Sequence, residues 1–171
     1  MDTIKKGLLV GTIESVWLLS GFSFLKWLSL NIPQAKLRAL TGLLGLVILF
    51  VGILYGLKKT RDNSVNADFT YLKSLKTGMI ISVVVALMVS LFSLVYVTLI
   101  NPDFSVDMMR EAEASLKLSG ASPSEIEQQV GNIKAEYSTL RLTTAPLIVQ
   151  PIAGTVFSLI LSIFFRSKRI H

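Results

Sequence analysis

The stretch Gly78–Ile100 reads GMIISVVVALMVSLFSLVYVTLI, with neither a charge nor a proline. As a helix it reaches roughly 34 Å, enough to cross a hydrocarbon core about 30 Å thick. A helix on the core of a soluble protein keeps a polar face, and this one is apolar all round. It therefore reads as a membrane span. The rest of the chain is placed by where this span enters and leaves the bilayer.

Composition agrees with that reading. The chain has 171 residues, a length that suggests one domain, with 51% hydrophobic residues and a mean hydropathy of +0.61. A net charge of +6 could suggest nucleic acid. Here the basic residues sit at the ends of apolar runs, where they set topology and meet anionic headgroups. No basic patch interleaved with aromatics marks a soluble domain, which argues against nucleic-acid binding. The absence of cysteine excludes disulfides, thiolate metal sites and cysteine catalysis.

Upstream of the span, residues 58–77 are polar and basic and include the turn-like RDNSVNAD. Within them Phe69–Lys76 reads as a short interfacial helix, with Phe69, Tyr71, Leu72 and Leu75 facing lipid. Before that, Ala39–Leu57 is an uncharged second span ending at Lys58, Lys59 and Arg61. A connector containing Pro33, NIPQAKLR, leads into it. The N-terminal segment has Lys5 and Lys6 followed by an apolar run from Gly7 to Leu25. It resembles a signal peptide, but the run is long and no small-x-small site precedes Lys26 and Trp27. It reads instead as a span over about 7–30, with Lys26 snorkelling and Trp27 at the interface.

Downstream, Asn101-Pro102-Asp103 breaks the helix and a polar insert, 103–141, begins. Asp103 or Ser105 is the candidate cap of a first helix running to Lys117 or Leu118, and Ser119-Gly120-Ala121 ends it. Ser122-Pro123-Ser124-Glu125 then starts a second helix: serine at the N-cap, proline at the first position, glutamate three residues after the cap. Ile126, Val130, Ile133, Tyr137 and Leu140 follow at helical spacing as one apolar stripe. Thr143–Phe165 is a fourth span with prolines at 146 and 151, and the tail is RSKRIH. The expected fold is an all-α, four-helix membrane bundle with an extramembrane helical hairpin between its third and fourth helices.

Ten of the seventeen basic residues lie in the N-terminus, the 58–76 loop and the tail: Lys5, Lys6, Lys58, Lys59, Arg61, Lys73, Lys76, Arg166, Lys168 and Arg169. A four-span topology puts these segments on one side, so both termini are predicted cytoplasmic and the acidic insert outward. Small residues recur along each span: Gly7, Gly11 and Ser15; Gly42, Gly45, Gly52 and Gly56; Gly78, Ser82, Ala86 and Ser90; Gly154, Ser158 and Ser162. Such stripes allow backbones to approach. The Gly52–Gly56 pair could equally serve a homodimer.

Few residues carry chemistry. Glu14 lies about 12 Å along its helix from Lys6, inside the hydrocarbon, where a carboxylate is costly unless paired, protonated or hydrated. It is either a proton- or cation-coupling site or a protonated acid bonded within the bundle, with Ser90, Ser93, Tyr55 and Gln150 as candidate partners. Gln150-Pro151 is the second candidate. Pro151 frees the carbonyl of Leu147, and the resulting break could bind an ion, or it could simply be a packing kink. Lys58, Lys59 and Arg61 could hold a headgroup phosphate, or act only as a topology signal. The stripe Ile126, Val130, Ile133, Tyr137 and Leu140 is a candidate partner face, unless the hairpin's helices cover it. His171 is solitary and is assigned no role. No catalytic motif occurs, so no enzyme, metal or cofactor is expected. The expected partners are the lipid bilayer and a second protein or a second copy of this chain. The leading function is a structural or interaction subunit of the membrane; the alternative is a small transporter or ion or proton pathway through Glu14 and the Gln150-Pro151 break.

Several strings together resemble a known family. They are Tyr55-Gly56-Leu57-Lys58-Lys59-Thr60-Arg61-Asp62, Phe69 leading into Leu75-Lys76-Thr77-Gly78, and Ile100-Asn101-Pro102-Asp103-Phe104. An acidic insert with Ser122-Pro123-Ser124-Glu125-Ile126-Glu127 and a last apolar helix with a basic tail complete them. In this order the chain resembles the domain-of-unknown-function family DUF4199, small four-span membrane proteins of Bacteroidota. The family usually has aspartate before the proline where this chain has Asn101. The resemblance implies a four-span inner-membrane protein and brings no activity, so no functional residue carries over from it.

Overall fold

A computed structural model describes residues 2–27, 34–63 and 70–165. Among these residues every regular element is helical and no strand forms. The order is α1 (Asp2–Trp27), α2 (Gln34–Asp62), α3 (Tyr71–Val95), a π-helical segment (Tyr96–Ile100), α4 (Phe104–Leu118), α5 (Pro123–Glu136) and α6 (Thr139–Phe165). Three helical stretches are long and apolar enough to cross a membrane: Leu40–Asp62, Tyr71–Ile100 and Thr139–Phe164. The interfacial roles expected of Lys26 and Trp27, the Phe69 contact, the centre of the 58–77 loop and the tail with Arg166, Lys168, Arg169 and His171 lie outside what is described.

The chain divides into two compact units, Met1–Val89 with Pro146–His171, and Ser90–Ala145. In the first, Leu49, Ile53, Leu57, Ile81 and Val85 are fully buried, with Phe50 edge-on to Phe157 at 5.2 Å between ring centroids. In lipid such burial gains little transfer energy, because acyl tails are as apolar as leucine, so close packing must hold the helices. Small residues supply it. Ser162 Oγ donates to Ser74 Oγ at 2.9 Å; a Cβ at Gly78 would overlap Ser158, and one at Gly154 would overlap Ser82. The numbers rise by four on α3 as they fall by four on α6, so the two helices run antiparallel with their small faces together. Gly52 lies against Val10 of α1 and Gly56 against Ile81 of α3. That glycine pair is used inside the chain, and Gly42, which is exposed, takes no part.

One expectation about α3 is corrected. The separate interfacial helix ending at Lys76 does not exist over the described residues: Tyr71 onward is one helix with the span. Thr70 starts it, its hydroxyl accepting from Lys73 N at 3.3 Å and its carbonyl from Ser74 N at 3.0 Å. Gly78 does not interrupt it, since a helix tolerates glycine where a neighbour needs the space. At the far end the helix widens into a π turn before Asn101, whose N–H reaches back five residues to Tyr96 O at 2.7 Å.

The second unit is built around the α4–α5 hairpin. Asp103 occupies the N-cap position of α4 without a side-chain capping bond. The turn is closed by Gly120 N to Lys117 O (3.2 Å) and Ala121 N to Leu116 O (3.1 Å). Gly120 has φ 77, the left-handed conformation this C-cap requires. Ser122 and Glu125 form the complete capping box read from the sequence. Met108 of α4 and Ile133 of α5 are buried, and Phe104 stacks edge-on with both Tyr96 (5.4 Å) and Tyr137 (5.8 Å). Ser90 Oγ donates to Thr143 O at 2.6 Å.

Polarity in the first unit is inverted relative to a soluble protein. Glu14, Ser15, Ser74, Ser82, Ser158 and Ser162 are at most 1% exposed, while Leu8, Leu43, Leu87 and Ile163 are each more than 40% exposed. Water drives leucine in and serine out; a solvent of acyl chains removes that drive and penalises bare polar groups.

Candidate functional site

The two polar anomalies of the apolar runs meet at one point. Glu14 lies midway along α1, and its neighbours Gly11 and Ser15 keep that face narrow. A Cβ at Gly11 would press on Met88 at 2.8 Å, and Ser15 Oγ turns back to Gly11 O at 2.6 Å. Opposite, Gly45 of α2 offers bare backbone. A Cβ there would stand 3.5 Å from both Glu14 Oε1 and Leu18 Cδ2. From α6, Gln150 Nε2 donates to Glu14 Oε1. Glu14 is 1% exposed and Gln150 6%, and Glu14 Oε2 and Gln150 Oε1 have no partner. Of the four partners considered for Glu14, the structure brings only Gln150 to it: Ser90 is committed to Thr143, and Tyr55 is exposed near Lys59.

Of the two readings of Gln150-Pro151, the open break does not form. Helix α6 is continuous from Thr139 to Phe165 through Pro146 and Pro151. Pro151 removes one N–H from the ladder, and Thr155 Oγ1 donates to the Pro151 carbonyl at 2.7 Å, but the backbone does not unwind into an ion cradle.

A second polar site at the N-terminal end of α1 was missed. Lys6 is only 5% exposed; its Nζ pairs with Asp2 Oδ2 at 2.8 Å and donates to Thr60 Oγ1 of α2 at 3.0 Å. The i, i+4 spacing of Asp2 and Lys6 was the available signal, overshadowed by the topological role of lysines near a span. Further along α1, Trp17 Nε1 donates to Thr41 O at 3.1 Å. Lys58, Lys59 and Arg61 are exposed on the last turns of α2, with Lys59 Nζ 5.8 Å from the Tyr55 ring centre.

The candidate partner face divides. Ile133 is buried and Tyr137 is stacked on Phe104, so α4 covers that half. Ile126 and Val130 are half-buried in a shallow groove with Glu113, Lys117 and Glu127. Leu140 is not on the same helix: α5 ends at Glu136 and Leu140 opens α6, 73% exposed. Ser138 restarts the helix by accepting from Arg141 N at 3.3 Å, which the unbroken 3–4 spacing of apolar residues concealed. Among the described residues no group of three or more acids or histidines could hold a metal ion.

These features define a class: an all-helical, membrane-compatible protein with polar and small side chains turned inward and a separately packed helical hairpin. The model of a family described as protein of unknown function, DUF4199, matches residues 5–167, and the chain belongs to that family. Comparison with curated proteins and with solved structures finds no match.

Proposed function

We propose that the chain is a four-span protein of the bacterial inner membrane, with both termini cytoplasmic and the hairpin outside. In this reading it serves as a structural or interaction subunit and has no catalytic activity of its own. The fourth span is α1. Its 26 residues reach about 39 Å, and Leu8, Leu9, Ile13 and Val16 are exposed on one side while Gly7, Gly11, Glu14 and Ser15 are buried on the other.

The observation that carries the role is the hairpin. It is capped at its turn on both sides, packs its own apolar residues, and leaves Glu127, Lys134 and Glu136 exposed, with Leu118 at its tip 91% exposed. A shaped, solvated module held on an otherwise lipid-facing chain suits recognition of another envelope protein. Purification in mild detergent tests this. A partner is expected to accompany the full chain and to be lost when 105–140 is replaced by a short linker, with the remainder still inserted. Complexes that survive the replacement sink the reading.

One observation favours a second reading, a proton or ion pathway: Glu14 and Gln150 are buried together with an unpartnered oxygen each. Flux into liposomes that Glu14→Gln abolishes would establish it in place of the first.

A further inference from the structure

We propose that Glu14 and Gln150 form a proton-binding clamp. One proton taken from the aqueous phase sits on Glu14 Oε2 and is donated to Gln150 Oε1, closing a cyclic acid–amide pair between α1 and α6. The inference needs only the α1–α6 contact and holds whether the protein conducts protons or merely assembles with a partner.

The argument starts from donors and acceptors. A carboxylate offers two acceptors and no donor; a primary amide offers one acceptor oxygen and a donor nitrogen. Here the amide nitrogen already donates to Glu14 Oε1, leaving Glu14 Oε2 and Gln150 Oε1 as unpartnered acceptors. Two acceptors cannot bond to each other. A single proton on Oε2 turns it into a donor, satisfies Gln150 Oε1 in the same step and leaves the carboxyl neutral. A water bridging the two acceptors would satisfy both but leave the buried carboxylate charged, so only the proton satisfies and neutralises the pair together.

The surroundings exclude the usual alternative of an ion pair. The ion pairs of Lys6 with Asp2, Arg110 with Asp107 and Lys117 with Glu113 all lie away from Glu14. Lys6, on the same helix, is turned to Asp2 and Thr60. From α2, Glu14 Oε1 faces the Gly45 position, where there is no side chain to stabilise a charge. A hard cation fits poorly. Oε1 already faces an N–H, which leaves two oxygens where such ions take six or more. A charged carboxylate without a partner at this depth is costly, and neutralisation is the response that the geometry permits.

The test is infrared difference spectroscopy of the full chain in lipid nanodiscs at neutral pH, comparing wild type with Glu14→Gln. The expected result is a protonated-carboxyl C=O band in wild type that Glu14→Gln removes and that Gln150→Leu shifts to higher frequency by deleting the amide donor. Thermal unfolding adds a second readout. Glu14→Gln, whose amide reproduces both hydrogen bonds, melts with wild type, and Glu14→Leu melts lower. Where Glu14→Leu fails to fold, the band and its Gln150→Leu shift carry the decision alone. Carboxylate bands in place of the acid band, a sodium-dependent displacement of those bands, or a band indifferent to Gln150→Leu each overturn the clamp. So does a Glu14→Leu protein as stable as Glu14→Gln.

Discussion

An alanine at Gly78 would drive its Cβ into Ser158, on a face where Ser74 and Ser162 already touch. Neither helix can retreat without opening the Ser82–Gly154 contact, so Gly78→Ala is expected to destabilise by about 1–3 kcal/mol, the usual cost of overpacking. The same substitution at Gly131 should act in the opposite direction. Gly131 is in the interior of α5, exposed, with nothing within 4 Å of a new Cβ. Gly131→Ala should stabilise by about 0.5–1 kcal/mol, because it only removes glycine's excess freedom in the unfolded chain. Thermal melts of the two variants in one detergent check both signs. If Gly78→Ala is neutral, the tight α3–α6 contact is not what holds the first unit. Glycine's two meanings could not be told apart from the sequence, where both residues sit in helical patterns. Space around a glycine is a tertiary property.

At the scale of the element, α5 makes the sharpest prediction. Ser122 Oγ accepts from Glu125 N at 3.4 Å, and Ser122 N donates to Glu125 Oε2 at 2.8 Å. That backbone bond, with the Ser122 hydroxyl second, holds the Glu125 carboxyl below its ordinary value of 4.5. The sign follows from linkage. A depressed carboxylate favours the folded helix above its unfolded value, and this contribution is lost as pH falls through the lower, folded value. Protection of the first-turn amides of α5 against exchange, relative to an unfolded chain at the same pH, should therefore fall below pH 4.5. Glu125→Gln should flatten that response while keeping the box, and Ser122→Ala should weaken the turn by about 1 kcal/mol at neutral pH and by less in acid, where the hydroxyl no longer meets a carboxylate. This start was fully legible because a capping box is local: four consecutive residues contain all its donors and acceptors. The other end of α5 was not. The apolar spacing runs on through Tyr137 to Leu140 across a helix junction, and only Ser138 marks the restart. At Pro151 the sequence left a packing kink and an open break as alternatives for a related reason. Proline removes one hydrogen bond, and whether the backbone then opens is decided by tertiary packing, which the sequence does not display.

For the whole molecule, the sequence supplied each half of the candidate site and not their meeting. Glu14 and Gln150 each stand out by polarity, but their depths depend on how α1 and α6 are set against each other, which small-residue packing on α2 and α3 decides. Lys6 was hidden for the opposite reason: a lysine beside a span has an ordinary topological use, and nothing local says that Thr60 receives it. The antiparallel pairing of α3 and α6 is the feature of the first unit with the widest consequence. Ser74 with Ser162, Gly78 with Ser158 and Ser82 with Gly154 place the start of α3 and the end of α6 together. The absence of cysteine makes this directly testable. In a Ser74→Cys, Ser162→Cys double variant the two thiols replace hydroxyls 2.9 Å apart, so mild oxidation should close an intramolecular disulfide and leave the chain monomeric on a denaturing gel. Failure to close, or closure only between chains, overturns the pairing. A single cysteine at Ser115, exposed on α4, then fixes the side. It should react with an impermeant maleimide on intact spheroplasts. Reaction only after lysis would invert the proposed orientation and leave the α3–α6 pairing intact.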